Sequence, residues 1–297
     1  MTTTTADAGV VVVPKPESRA ERIGRWSAKA PVHIILVIIG LIWIVPTFAL
    51  FMLSIFDPDL SATEGWWNIF SDPSKATLEN YTALFNNEAM VHALWVTVFV
   101  TLGATVLPVM IAALAGYAFA WIDFPGRDVI FIVIIGLLAL PIQMALIPIF
   151  GLYNKTHLYD TVIGLILFHT AFSLPFSIFL LRNFFVGIPK DLMEAARIDG
   201  AGELRIFFKL ILPLGLPAVA SLAIFQVLFV WNDLLVGLTL AQDNQPIQAT
   251  ISLQLRQFSS NLDVIAPAAM ISLIVPLTIF LSFQRYFVQG LLAGSVK

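Results

Sequence analysis

The chain has 297 residues, 59% of them hydrophobic and only 12% charged, with a mean hydropathy of +0.90. A water-soluble domain carries about twice that share of charge, so the composition excludes a soluble globule and points to a membrane protein. The absence of cysteine excludes disulfides, thiol catalysis and thiolate-bound metals, and His33, His92, His157 and His169 show no metal-ligand spacing.

The tail Met1–Lys29, with its threonine run and Pro14 and Pro16, reads as disordered. Six windows free of Asp, Glu, Lys and Arg follow: Ala30–Phe56, Ala89–Ile122, Val129–Asn154, Thr161–Leu181, Leu210–Asn232 and Val264–Gln284. Each is long enough to cross the hydrocarbon core, which takes about 20 apolar residues in a helix. They are continuous apolar runs rather than short alternating segments, so the expectation is six transmembrane helices and not a barrel. The first window is too long for a signal peptide and follows a long tail, so it is expected to stay as an uncleaved anchor. Every window contains proline, namely Pro46, Pro108, Pro141 with Pro148, Pro175, Pro217, and Pro267 with Pro276. These are either static kinks in a bundle or hinges in a moving pathway.

Of the 16 lysines and arginines, all but Lys75, Lys155 and Arg256 fall on one side of this six-span arrangement. The positive-inside rule makes that side cytoplasmic, with both termini on it. The loop Asp57–Glu88 is acidic apart from Lys75 and belongs outside. Asp233 follows Trp231 and Asn232 at the outer end of the fifth window, which otherwise runs on to Gln242. It reads either as an interfacial carboxylate beside a belt tryptophan or as a polar position on a translocation path. Gln143, His169 and Gln226, also within windows, read as interhelical hydrogen bonders.

The most informative stretch is Ile188–Pro213, IPKDLMEAARIDGAGELRIFFKLILP. Pro189, Lys190 and Asp191 give a helix start, and Leu192, Ala195 and Ala196 share one face. Gly200 and Gly202 end that helix, and a second short segment is expected to place Leu204, Phe207, Phe208 and Ile211 on one side. Helices this short are marginal alone, so they either lie on the membrane or dock another surface, with Glu194, Arg197 and Asp199 setting register by charge.

This stretch resembles the EAA motif of permease subunits of ABC importers: Glu194-Ala195-Ala196, three residues, Gly200, nine residues, then Leu210, Ile211, Leu212 and Pro213. Leu210 stands where the family pattern has isoleucine. Trp231-Asn232-Asp233-Leu234-Leu235 and the segment from Gln284 to Lys297 resemble the carbohydrate-importing branch, the maltose-type second permease, although that branch more often has phenylalanine at the position of Leu234. The resemblance covers roughly Tyr81 to Lys297. It implies the type I permease fold of ABC importers: an all-α membrane protein with six spans in a prokaryotic cell membrane. Residues 30–90 would form the first span and an outer loop, 91–285 the permease core with its coupling loop at 188–213, and 286–297 a cytoplasmic tail.

The resemblance further implies that Glu194, Ala195, Ala196, Asp199 and Gly200 contact an ATPase. Asn232 and Asp233 are candidates for the translocation path. No phosphate-binding loop of the GxxxxGK[ST] type and no catalytic constellation is present, so the chain is not expected to be an enzyme or to bind a cofactor or metal. ATP would be hydrolysed by two partner ATPase subunits. A second permease, an extracytoplasmic solute-binding protein and membrane lipid complete the expected partners, with no nucleic acid. The outer segment Ala241–Ile265, with Gln242, Gln248, Gln254, Arg256 and Gln257, is either a surface for the binding protein or a solvated loop. The expected cargo is a di- or oligosaccharide. The alternatives are a polyol or glycerol phosphate or, from another class, an ion-coupled secondary transporter, which calls for more intramembrane ionisable groups.

Overall fold

A computed structural model of the chain describes residues 19–61, 63–257 and 262–293. The chain divides into two units, Met1–Ala49 and Leu50–Lys297. In the first, helix α1 (Arg19–Ser54) begins well before the expected Ala30. Much of the expected disordered tail, residues 1–18, lies outside the described residues. From Pro31 to Ser54 α1 is apolar enough and long enough to cross a membrane.

The second unit is built on α3 (Glu88–Trp121), α6 (Val162–Val186), α9 (Leu212–Trp231) and α12 (Leu262–Ala293). The α3–α6 contact is the most extensive, and α9 packs on α3, α6 and α12. Pro108, Pro175, Pro217, Pro267 and Pro276 all sit inside helices that remain continuous. Pro141 behaves differently. The third window is not one helix but two, α4 (Arg127–Leu137) and α5 (Ile142–Thr156), meeting at 98°. Pro141 disfavours helical backbone at Leu140 and offers no N–H, so the preceding carbonyls are capped by short three-residue turns and the axis swings away. Among the described residues, five helices are long and apolar enough to cross a membrane, and the broken pair would make a sixth. Helix α12 runs to Ala293, through most of the expected C-terminal tail, and residues 294–297 lie outside the described ones.

The two ends of this bundle are called here lower, where α3 and α6 finish, and upper, where they begin. At the upper end, short helix α2 (Glu79–Asn86) packs on α3 and α12. The segment read as a surface for the binding protein or a solvated loop contains helix α11 (Ile247–Gln257), because Ile247 and Ile251 bury one face against α3 and α12, while Ala249 is buried on another side near Gly237. Gln248 turns inward and donates to the Ser272 hydroxyl at 2.6 Å, while the side chains of Arg256 and Gln257 lie outside the described residues.

Upper-end order depends on Asp160, a residue with no sequence signal. Its carboxylate Oδ1 accepts the N–H groups of Gln242, Asp243 and Asn244 at 2.8, 3.0 and 2.8 Å. Its carbonyl accepts the Asn244 amide, and its own N–H donates to Leu240. Burial alone would raise the Asp160 carboxyl, but these donors outweigh it and hold it below the usual carboxylate range.

Candidate functional site

Helix α7 (Lys190–Ile198) leaves the lower end of α6 after Gly187 and Pro189. Asp191 in its first turn and Arg197 in its last complement the helix dipole. Met193 is fully buried in the lower core with Ala112, Tyr117, Phe185, Ile188, Ile206, Phe207 and Ile211. That plug fixes which side of α7 faces out. Leu192, Glu194, Ala195 and Asp199 are exposed, Ile198 is 85% exposed, and Ala196 is half-buried beside the core. The expected stripe of Leu192, Ala195 and Ala196 is thus split: its first two members are the outward face, and the third leans inward.

The helix ends in a Schellman motif. The Ala201 N–H donates to the Ala196 carbonyl and the Gly200 N–H to Arg197, each at 3.0 Å, with Gly200 at φ +75°. A Cβ at Gly200 would meet nothing within 4 Å, so left-handed backbone, not crowding, favours glycine there. Glu194 pairs with Lys190 at 3.0 Å, an exposed pair that adds little stability.

The next segment corrects the expected face. Helix α8 (Glu203–Ile206) runs into a π-helical turn over Phe207–Ile211 before α9. The wider turn breaks the 3.6-residue register, so Ile206, Phe207 and Ile211 are buried while Leu204 is 70% and Phe208 55% exposed. Arg197, expected to offer its charge to a partner, instead reaches back to its own bundle and bonds Glu203 and the Trp121 carbonyl.

At the other candidate position, Asn232 is exposed and its amide donates back to the Leu228 carbonyl. Asp233 turns inward, and its Oδ2 accepts the N–H groups of Val236 and Gly237 at 3.0 and 3.3 Å, capping helix α10 (Leu235–Leu240). The nearly buried His169 ring lies 3.8 Å away. Gln226 does bond across helices, to the Ala104 carbonyl, whereas Gln143 is exposed. Since asparagine caps helices as well as aspartate does, Asp233→Asn should leave the unfolding temperature in detergent unchanged, whereas Asp233→Ala should lower stability by about 1–2 kcal/mol. Equal losses in the two variants would show that the carboxylate is held for its charge and not as a cap.

Among the described residues the arrangement brings together no nucleophile with a base and no acid pair. It offers an exposed, register-fixed helix hung beneath a bundle of apolar helices. A family model described as binding-protein-dependent transport system inner membrane component matches residues 110–293. The chain belongs to that family. This permease is 43% identical over 275 residues to the osmoprotective compounds uptake permease protein GgtD of Synechocystis, covering 91% of this chain and 92% of the relative. It is 43% identical to the alpha-glucoside transport system permease protein AglG of Rhizobium meliloti over 76% of this chain and 61% of AglG. It is 34% identical to the arabinooligosaccharides transport system permease protein AraQ of Halalkalibacterium halodurans over 83% of this chain and 88% of the relative. Among solved structures, a bacterial ABC transporter involved in import of the acidic polysaccharide alginate superposes with a TM-score of 0.74 at 22% identity, covering 92% of this chain and all of that one. The MetNI methionine ABC transporter gives 0.56 at 19% identity over 68% of this chain and 96% of that one. The permease therefore has the fold of ABC-importer membrane subunits, and it is a transport subunit rather than an enzyme.

Proposed function

We propose that this permease forms half of the translocation pathway of an ATP-driven importer for a di- or oligosaccharide. The observation that carries the reading is the outward face of α7: Glu194, Ala195, Asp199 and Gly200 are presented at one end of the bundle beside exposed Leu192 and Ile198, with no cover from the described residues. A short helix with small side chains over an apolar and charged rim suits insertion into a cleft on another protein. The motif resemblance makes that protein an ATPase subunit, one copy under this chain and one under a second permease. The bias of lysine and arginine over a six-span arrangement supports a reading in which this end and both termini lie on the cytoplasmic side of a prokaryotic cell membrane, with Asp160 and α11 towards the solute-binding protein. Sugar as cargo rests on the names of AglG and AraQ and on the Trp231–Leu235 segment, with Asn232 and Asp233 as candidates for the path.

Purification of the tagged permease from its native host in mild detergent should bring down an ATPase and a second permease at equal protomer ratios. Recovery of the permease alone, under conditions that preserve other membrane complexes, would refute the assembly. With the assembly in hand, radiolabelled maltose-like and longer glucosides should compete for uptake, and a polyol or glycerol phosphate should not.

A further inference from the structure

Helix α7 is attached to its bundle in two physically different ways. Met193 sits in an apolar core, a contact without direction that tolerates small rotations and slides. Arg197 makes directed bonds: its Nε donates to Glu203 Oε1 at 3.1 Å, and one Nη donates to the Trp121 carbonyl at 3.0 Å and lies 3.5 Å from Glu203 Oε2. Glu203 then accepts the hydroxyl of Tyr117, a residue only 4% exposed in the body of α3. The Tyr117 ring packs on Phe207 with centroids 5.4 Å apart, and the Trp121 indole N–H donates to the Phe185 carbonyl at 3.1 Å. One guanidinium therefore links the last turn of α7 to α8 and to the lower end of α3, and α3 is tied in turn to α6.

A planar fork held by a carboxylate fixes both distance and angle, which a point charge or a methylene chain does not. Arg197 and Glu203 are each partly exposed, so as an isolated ion pair they would add little to stability. Their geometry is better suited to transmitting displacement than to holding the fold. We infer that Arg197, Glu203 and Tyr117 form a strut that makes the ATPase-docking helix move as one body with α3, so that they are positioning residues for energy coupling. This rests on the reading of α7 as the docking helix. Without the strut, α7 would still seat on the ATPase through its outward face, but part of its motion would be lost in rotation about the Met193 plug.

The test uses the complete importer in proteoliposomes with its binding protein, reading solute transported per ATP hydrolysed, the amount of ATPase that co-purifies, and thermal stability. Arg197→Lys keeps the charge and loses the fork, Glu203→Gln loses the carboxylate, and Tyr117→Phe loses the hydroxyl. Arg197→Lys and Glu203→Gln are expected to lower the transport-to-ATP ratio about fivefold to tenfold, and Tyr117→Phe about twofold, with the ATPase retained in full. An unchanged ratio overturns the strut, including where stability falls, because the residues are then structural only. Loss of ATPase from the variants while the unsubstituted complex keeps it also overturns it, because the residues then belong to the contact surface. Failure of any ATPase to co-purify with the unsubstituted chain refutes the docking reading itself, and the strut with it.

Discussion

Glu194→Arg is expected to abolish solute uptake while the permease accumulates in the membrane at its normal level. The two halves of that expectation come from separate observations. Within the chain, the Glu194 carboxylate is about half exposed, and its ion-pair partner among the described residues is Lys190, one turn back on the same helix. An exposed pair of that kind contributes a fraction of a kcal/mol, so its loss leaves helix, loop and bundle in place. Towards a partner the effect is much larger. The substitution replaces an anion by a second cation beside Lys190 on the face that we assign to the ATPase. Like charges forced together at a buried contact cost several kcal/mol, on the order of a hundredfold or more in affinity. Gly200→Asp makes the same point by another route. Its backbone, at φ +75°, is one that aspartate tolerates better than most residues, and the added Cβ has open space around it. The chain can host the side chain at modest cost, and the new charge lands beside Asp199 on the docking face. Uptake is measured with labelled solute and the membrane level by immunoblot. Normal uptake by both variants at normal levels would end the coupling assignment.

The membrane class and most of the spans could be read from the sequence because lipid imposes one demand, about 20 apolar residues with internal hydrogen bonds, that shows directly in composition. The same simplicity concealed the third window. The eight prolines named within the windows look alike in sequence, yet helices tolerate seven of them, and only Pro141 coincides with a break. Which proline bends a chain depends on whether neighbouring helices hold the freed carbonyls, and that is a tertiary property. The 188–213 loop was legible in position and motif but not in facing. A 3.6-residue wheel puts Leu204 and Phe208 with Phe207 and Ile211, and the π turn at Phe207–Ile211 takes them out of that register. In sequence Arg197 reads as one of three charges that set register with a partner, whereas the groups it bonds, Trp121 and Glu203, lie 76 and 6 residues away. Asp160 carried no signal for the same reason: the N–H groups it accepts come from a segment 82 to 84 residues later.

A second glycine gives the other large expected effect, and for the opposite physical reason to Gly200. Gly164 stands in the first turn of α6, where its N–H donates to the Thr161 hydroxyl at 2.9 Å and its carbonyl accepts the Tyr153 hydroxyl at 3.0 Å. A Cβ there would lie 2.1 Å from the Leu158 carbonyl oxygen, so the turn between α5 and α6 would have to move. It has little room to do so. His157 and Asp160 both hold left-handed backbone at φ 56°, the N–H groups of Leu158 and Tyr159 bond the Tyr153 carbonyl, and Asp160 is clamped from the far side by the three N–H groups of 242–244. Displacing Leu158 therefore strains a turn pinned at both ends, and Gly164→Ala should cost about 3 kcal/mol. That is a large share of the marginal stability of a folded chain, so its level in the membrane and its unfolding temperature in detergent should both fall. Gly151→Ala, in α5 with nothing within 4 Å of its Cβ, is the matched control and should be neutral or slightly stabilising. Equal behaviour of the two alanine variants would mean that the upper turn yields freely, and Asp160 could not then be the clamp that fixes the upper end of the bundle.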